Sequence, residues 1–133
     1  MVGIYRIKIV FSFYELWFQI YKIIKMTIII TYIDNTVNKF DSFDEITNQN
    51  NIKRLNCSFN KLKSLPELLF ANTPNLQEFH CSFNQLTSIP DNLFDNIPNL
   101  QEFCCLHNKL TAIPETLFAN TPNLQEFYCS NNR

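Results

Sequence analysis

The stretch that decides the fold is the six-residue string PNLQEF at residues 74–79, which recurs at 98–103 and at 122–127. The copies are 24 residues apart, and a diverged copy begins at residue 51 with NIKRL. From there the chain reads as the units 51–74, 75–98 and 99–122, followed by a shorter unit at 123–133. A fixed period of this length is typical of repeat architectures, in which stacked units share one continuous core.

Each unit begins with apolar residues that alternate with polar ones, as do Leu76, Phe79 and Cys81. This alternation predicts a short β-strand with one buried face. A proline later in each unit ends regular pairing because it has no backbone donor. We therefore expect Leu76 and Leu100 to be buried. Parallel strands in sequence order are predicted around residues 54–57, 78–81, 102–105 and 126–129.

Two residue types recur at fixed positions outside the strands. A phenylalanine follows the proline in each complete unit, and these rings are predicted to stack as a spine on the side away from the sheet: Phe70, Phe94 and Phe118. An asparagine follows each strand, and its side-chain amide can satisfy backbone groups at the turn. The predicted asparagine ladder consists of Asn60, Asn84, Asn108 and Asn132.

This pattern resembles the 24-residue leucine-rich repeat, L-x-x-L-x-L-x-x-N-x-L followed by I-P-x-x-x-F, with Phe at the second leucine site and Cys at the third. The resemblance covers residues 51–133. It implies an α/β-type repeat solenoid, here a horseshoe segment with a parallel sheet on the concave side. Turns and short 3-10 or helical pieces are implied on the convex side.

Residues 26–50 are interpreted as a degenerate capping repeat, since the terminal units of repeat arrays are commonly atypical. The offset to the next unit is 25 residues, one more than between the later units. The equivalent positions would be Ile30 with Leu55, Asn35 with Asn60, Val37 with Leu62, and Phe40 with Leu65.

Residues 1–25 form an apolar, aromatic segment that polar residues interrupt at helical spacing. The interruptions place one polar stripe on a helix, which a membrane-spanning helix would not carry. They are Lys8, Ser12, Glu15, Gln19 and Lys22. Three interpretations remain open: a helix that covers the first repeat, a helix that lies at a membrane interface, or translated upstream sequence with the real start at Met26.

Composition excludes several functions. The formal net charge of −1 provides no basic field for nucleic acid. The chain has one glycine, Gly3, so it cannot form a glycine-rich phosphate loop. No group of residues has the pattern of a catalytic site. The sequence therefore predicts a non-enzymatic protein without a cofactor.

Four of the five cysteines share one inward position, and the fifth, Cys104, lies on the outward side of its strand. The four are Cys57, Cys81, Cys105 and Cys129. Neighbouring strands lie ~4.8 Å apart, whereas disulfide-bonded Cβ atoms are ~3.8 Å apart. Four ligands in a line also cannot form a tetrahedral zinc site. We therefore expect a reduced, buried column with Cys104 as the reactive exception, which favours an intracellular compartment.

Outward positions of the strands and turns vary between units while the core positions stay nearly constant. Variation over a fixed scaffold indicates a surface that binds a protein partner, and exposed aromatic residues are typical of interfaces. The predicted partner-binding residues of the concave face are Arg54, Asn56, Phe59, Glu78, His80, Phe83, Glu102, Cys104, His107, Glu126 and Tyr128. The alternatives are a surface metal or redox site made of His80, Cys104 and His107, and a fragment of a longer repeat protein with no function of its own.

The fourth unit stops just after Asn132 and has no polar cap. We expect Ile113, Leu117 and Phe118 of the third unit to face solvent there. Repeat arrays need a cap over the last apolar surface. The sequence therefore predicts either end-to-end self-association or a fragment of a longer repeat protein.

Overall fold

The computed structural model describes residues 27–46 and 49–133. These form a six-stranded open sheet in the order β2-β1-β3-β4-β5-β6. The strands are β1 (Ile28–Tyr32), β2 (Val37–Phe40), β3 (Ile52–Asn56), β4 (Glu78–His80), β5 (Glu102–Cys104) and β6 (Glu126–Tyr128). In the described ranges, helix is confined to two 3-10 segments, Phe43–Glu45 and Gln49–Asn51.

Strands β3 to β6 pair in parallel and in sequence order, one from each repeat. Equivalent repeat positions lie beside one another, so Phe79 pairs with Leu55 on one side and Phe103 on the other. Leu76 and Leu100 are fully buried. The predicted strands, their direction and their buried leucines are therefore confirmed.

The core contains two columns of phenylalanines that interlock under the sheet. Phe79 and Phe103, from neighbouring strands, stack face to face with ring centroids 5.6 Å apart. Phe94 of the predicted spine meets Phe103 edge to face at 4.9 Å and lies 6.2 Å from Phe70 and 6.0 Å from Phe118. Such pairs add about 0.5–1.5 kcal/mol each beyond burial of area. The spine is confirmed, and it is wedged against the strand phenylalanines.

The asparagine ladder is confirmed in detail. The Asn84 amide nitrogen donates to the carbonyl oxygens of Cys81 in its own unit and Cys57 in the preceding unit, both at 3.0 Å. Its Oδ1 accepts from the backbone nitrogen of Leu62 at 3.1 Å. Asn108 and Asn132 repeat this arrangement one and two units further on. Each amide thus joins two units by hydrogen bonds to backbone groups.

The segment before the first repeat forms an antiparallel hairpin rather than the parallel course of a repeat unit. Ile30 does lie beside Leu55, but β1 runs antiparallel to β3. Val37 lies in β2 and pairs with Thr31 of β1. Val37 and Phe40 therefore do not occupy the positions of Leu62 and Leu65. The tight turn after β1, where Asn35 adopts φ 65°, reverses the chain before a convex segment can form.

The segment between one strand and the next consists of successive turns rather than the short 3-10 or helical pieces expected for the repeats. In the second unit, the backbone nitrogen of Leu93 donates to Pro90 O at 3.1 Å and that of Asp95 to Asn92 O at 3.2 Å. These i→i+3 bonds are isolated, and no regular helix is assigned between residues 52 and 133. The predicted turns are confirmed and the helical pieces are absent from this range.

Beyond β6 the apolar side is covered less completely. Cys129 is exposed and Phe127 is 36% exposed. Four buried cysteines were predicted in this column, and three of them are buried. Ile113 and Phe118 are partly buried. Leu117, which we expected to face solvent, is 1% exposed because it packs in the hydrophobic core.

Within residues 27–46 and 49–133, no helix combines the length and apolarity that crossing a bilayer requires. The three interpretations of residues 1–25 concern a segment outside the described residues.

Candidate functional site

Two columns of side chains cover the exposed face of the parallel sheet. The first contains Arg54, Glu78, Glu102 and Glu126, and the second contains Asn56, His80, Cys104 and Tyr128. Both columns lie opposite the buried phenylalanines because successive side chains of a strand point to opposite faces. The structure therefore brings these eight predicted site residues onto one surface.

The first column is acidic with a cation at one end. Arg54 Nε donates to Glu78 Oε2, and this hydrogen bond raises the pKa of the Arg54 guanidinium. Their side chains are 47% and 19% exposed, so solvent screens the pair and its net contribution to stability is small. Glu102 and Glu126 extend the negative charge along the sheet.

His80 projects from β4 between two carboxylates of the first column. Its Nε2 lies 3.1 Å from Glu102 Oε1 and 3.9 Å from Glu78 Oε2. The Nε2 atom is buried and has no aligned hydrogen-bond partner. The imidazole therefore lies among carboxylate oxygens, and its Nε2 atom makes no hydrogen bond.

At the β6 edge, the Tyr128 hydroxyl donates to Glu126 Oε2 at 2.5 Å. The hydrogen bond and the negative charge of Glu126 raise the pKa of the phenol. The ring is 44% exposed and lies beside Cys104. The far end of the face is thus an exposed aromatic group next to a carboxylate.

A third column lies on the turns that follow the strands. Its members are Phe59, Phe83, His107 and Asn131, all with positive φ between 51° and 59°. Phe83 stacks on Phe59 at 4.5 Å and on His107 at 4.4 Å, with rings nearly parallel, and Asn131 Nδ2 lies 3.0 Å from His107 Nε2. We call this column the aromatic ladder.

The left-handed backbone of the aromatic ladder is costly for a phenylalanine, at roughly 1–2 kcal/mol per residue. Backbone hydrogen bonds between units hold it, since Phe59 N donates to Ser82 O and Phe83 N to Leu106 O at 3.0 and 2.9 Å. The sequence placed these residues at an outward or edge position but did not reveal the stacking. An asparagine at the equivalent position 131 was the available signal, because Asn tolerates positive φ.

The predicted metal alternative of His80, Cys104 and His107 is not assembled. Cys104 Sγ lies 3.1 Å from Ser82 Oγ, and His107 faces Asn131. In the described ranges, one group of candidate ligands lies within 4.8 Å of one another, and it consists of Glu78, His80 and Glu102. The sequence interpretation assigned Glu78, His80 and Glu102 to the partner-binding face and did not recognise them as a group of metal ligands.

The thiols divide by burial. All five described cysteines are unpaired, as predicted. Burial raises the pKa of Cys57 and of Cys105 to about 12, and it also raises that of Cys81. Cys104 is partly exposed. A thiolate is the reactive form, so the buried three are inert.

The comparisons with known proteins agree with this architecture. The family model described as leucine rich repeats (two copies) matches residues 50–95. No curated protein matches the chain. The matched range contains β3 and β4, and the same period continues through β5 and β6. Residues 50–95 therefore carry leucine-rich repeats.

Proposed function

We propose that this chain is a non-enzymatic module that binds a protein partner through the exposed face of its sheet. Domains of this family generally mediate protein–protein interaction and are typically non-enzymatic. The observation that carries the proposal is that two columns, Asn56 to Tyr128 and Phe59 to Asn131, differ between units while the core beneath them is nearly constant. In the horseshoe that the family resemblance implies, this face is the concave one.

The aromatic ladder supplies the apolar part of the proposed interface. Phe59 is 73% exposed and Phe83 is 41% exposed, and their stacked rings are already ordered before a partner arrives. Ordering a side chain on binding costs roughly 0.5–1.5 kcal/mol, so a preformed stack avoids part of that cost. Exposed aromatic anchors of this kind commonly dominate binding energy.

The acidic column supplies the selectivity. Glu78, Glu102 and Glu126 lie along one line, and Arg54 lies at its end. Complementary charge mainly accelerates association and rejects wrong partners. We therefore propose a partner that presents Lys or Arg side chains opposite the glutamates and an apolar group opposite the aromatic ladder.

We also propose that residues 26–50 cap the array and that residues 51–133 form the repeats. The hydrogen bonds of Asn60 support the cap, because its amide exchanges two 3.0 Å bonds with the backbone of Thr27. In later units the same amide position bonds to the preceding repeat. The hairpin segment thus takes the place of a preceding unit at the edge of β3.

The test is a quantitative pull-down with the full chain and two face variants, Phe83→Asn and Tyr128→Ala. Asn is chosen at position 83 because it occurs at the equivalent position 131 and accepts positive φ. Asn92→Ala, an exposed change on the far side, is the matched control. Truncating an anchor typically costs ~2 kcal/mol or more, or about thirty-fold in affinity.

Proteins that the wild type and Asn92→Ala retain, and that both face variants lose, support the proposal. Their binding should also weaken as salt is raised, since the acidic column is solvent-exposed. Equal retention by all four chains, or loss in Asn92→Ala alone, contradicts binding at this face.

A further inference from the structure

The group formed by Glu78, His80 and Glu102 has the composition of a metal site. It offers one imidazole nitrogen and two carboxylate oxygens within 4.8 Å of one another. Imidazole favours zinc-type ions, whereas magnesium and calcium favour sites made entirely of oxygen. We propose that these three residues bind a divalent transition-metal ion of the zinc class on the exposed face of the sheet.

The distances suit such an ion. Two ligand atoms each about 2.1 Å from a tetrahedral zinc ion lie about 3.4 Å apart. His80 Nε2 is 3.1 Å from Glu102 Oε1 and 3.9 Å from Glu78 Oε2, which brackets that separation. The Glu78 and Glu102 side chains are 19% and 29% exposed, so small rotations complete the site. Water fills the fourth position.

The state of His80 is an independent indication. Its Nε2 atom is buried among acidic oxygens, yet it makes no hydrogen bond. Buried polar atoms are nearly always satisfied. A metal ion between Nε2 and the two carboxylates gives this nitrogen a partner and removes the repulsion between Glu78 and Glu102.

Arg54 holds one ligand in place. It donates to Glu78 Oε2, and a carboxylate has enough lone pairs to accept this bond and still ligate an ion. Partners of this kind orient metal ligands in many sites. The pairing of β4 with β5 fixes the relative positions of the two carboxylate ligands, since Glu78 and Glu102 are direct neighbours in the sheet.

The experiment is a titration of the full chain with zinc chloride at pH 7.5, followed by calorimetry and by the NMR signals of the His80 ring. The accessible thiols are first removed by Cys104→Ser and Cys129→Ser, because thiolates also bind zinc. His80→Ala and Glu102→Gln test the ligands. Glu126→Gln is the matched control, because it removes an equal charge from the same column outside the site.

We expect one ion per chain and a shift of the His80 signals on binding. His80→Ala and Glu102→Gln should each weaken binding by about ten-fold or more, while Glu126→Gln leaves it nearly unchanged. If His80→Ala does not fold, Glu102→Gln and the His80 signals of the wild-type ring decide the question.

Three results overturn the proposal. The first is an absence of zinc binding in the chain that carries Cys104→Ser and Cys129→Ser. The second is binding that His80→Ala and Glu102→Gln do not change. The third is equal weakening by Glu126→Gln, which shows diffuse attraction to the acidic column. None of these results depends on a protein partner, so the proposed function is tested separately.

Discussion

Whether a cysteine of this chain can react depends on the strand face that carries it and on the cover that the next unit provides. Cys57, Cys81 and Cys105 lie under the sheet and are fully buried, while Cys104 and Cys129 are accessible. From strand alternation, the sequence correctly predicted that Cys57, Cys81 and Cys105 are buried and that Cys104 is accessible. It failed at Cys129, because the pattern of one unit does not reveal whether a neighbour covers it.

Native thiol labelling should therefore modify two cysteines, Cys104 and Cys129. The other three remain protonated at pH 8, because burial raises their pKa far above that value. Peptide mass spectrometry after iodoacetamide treatment identifies the labelled positions. Cys104→Ser should reduce the labelling to one site. Rapid labelling of Cys81 in the folded chain would show that the strand register is wrong.

Tyr128 should titrate above its ordinary pKa of 10.0 because its hydroxyl donates to Glu126 and the carboxylate repels a phenolate. The bond needs the protonated phenol. Its contribution to stability is therefore present below pH 10 and disappears as the pH rises through the raised pKa. Ultraviolet absorbance of the wild type minus that of Tyr128→Phe isolates this tyrosine. Glu126→Gln should return its pKa toward 10, and an unchanged value would contradict the interaction.

Two residue-scale features lay beyond sequence prediction for physical reasons. Phe59 and Phe83 have no intrinsic preference for positive φ, so their left-handed turns follow from hydrogen bonds between units. The contact between His80 of β4 and Glu102 of β5 depends on how their side chains are oriented across the gap between the two strands. A linear pattern gives the register of these residues, but it does not give the rotamers that bring their side chains together.

At the scale of elements, the repeat period predicted β3 to β6 well because each strand has an equivalent neighbour. The hairpin of β1 and β2 has no such equivalent, and its apolar alternation fits either strand direction. A second asparagine ladder also escaped notice, in which the side chains of Asn75, Asn99 and Asn123 donate to the backbone of the preceding unit. The recurrence of Asn at the first position of every unit was the signal for it.

The main asparagine ladder should contribute strongly to stability. Asn84→Ala removes bonds to Cys57, Cys81 and Leu62. The Leu62 N–H loses this bond, while the carbonyls of Cys57 and Cys81 keep only those from Asn60 and Asn108. We expect the free energy of unfolding to fall by roughly 2–4 kcal/mol. Urea denaturation measures this change, with exposed Asn92→Ala as the control at under about 0.5 kcal/mol. A loss for Asn84→Ala as small as that of the control would contradict a structural role for the amide.

At the scale of the whole molecule, the two ends of the sheet differ. The β3 side is covered by the hairpin, which bonds to Asn60. The β6 side exposes Phe127 and Cys129 next to a cleft of about 200 Å³ whose lining includes Leu110 and Ile113. Burying an apolar side chain of this size contributes roughly 1.5–3 kcal/mol. This surface therefore favours association through apolar contacts.

We predict that the chain self-associates through this end surface under reducing conditions, so its sedimentation coefficient rises with concentration. Cys129→Lys places a charge on the end surface and should suppress the rise. Tyr128→Lys is the matched control, because the adjacent residue points to the opposite face of β6 and is also exposed. A monomer at every concentration contradicts the prediction. Suppression by Tyr128→Lys alone would instead place the contact on the exposed sheet face, where the protein partner is proposed to bind.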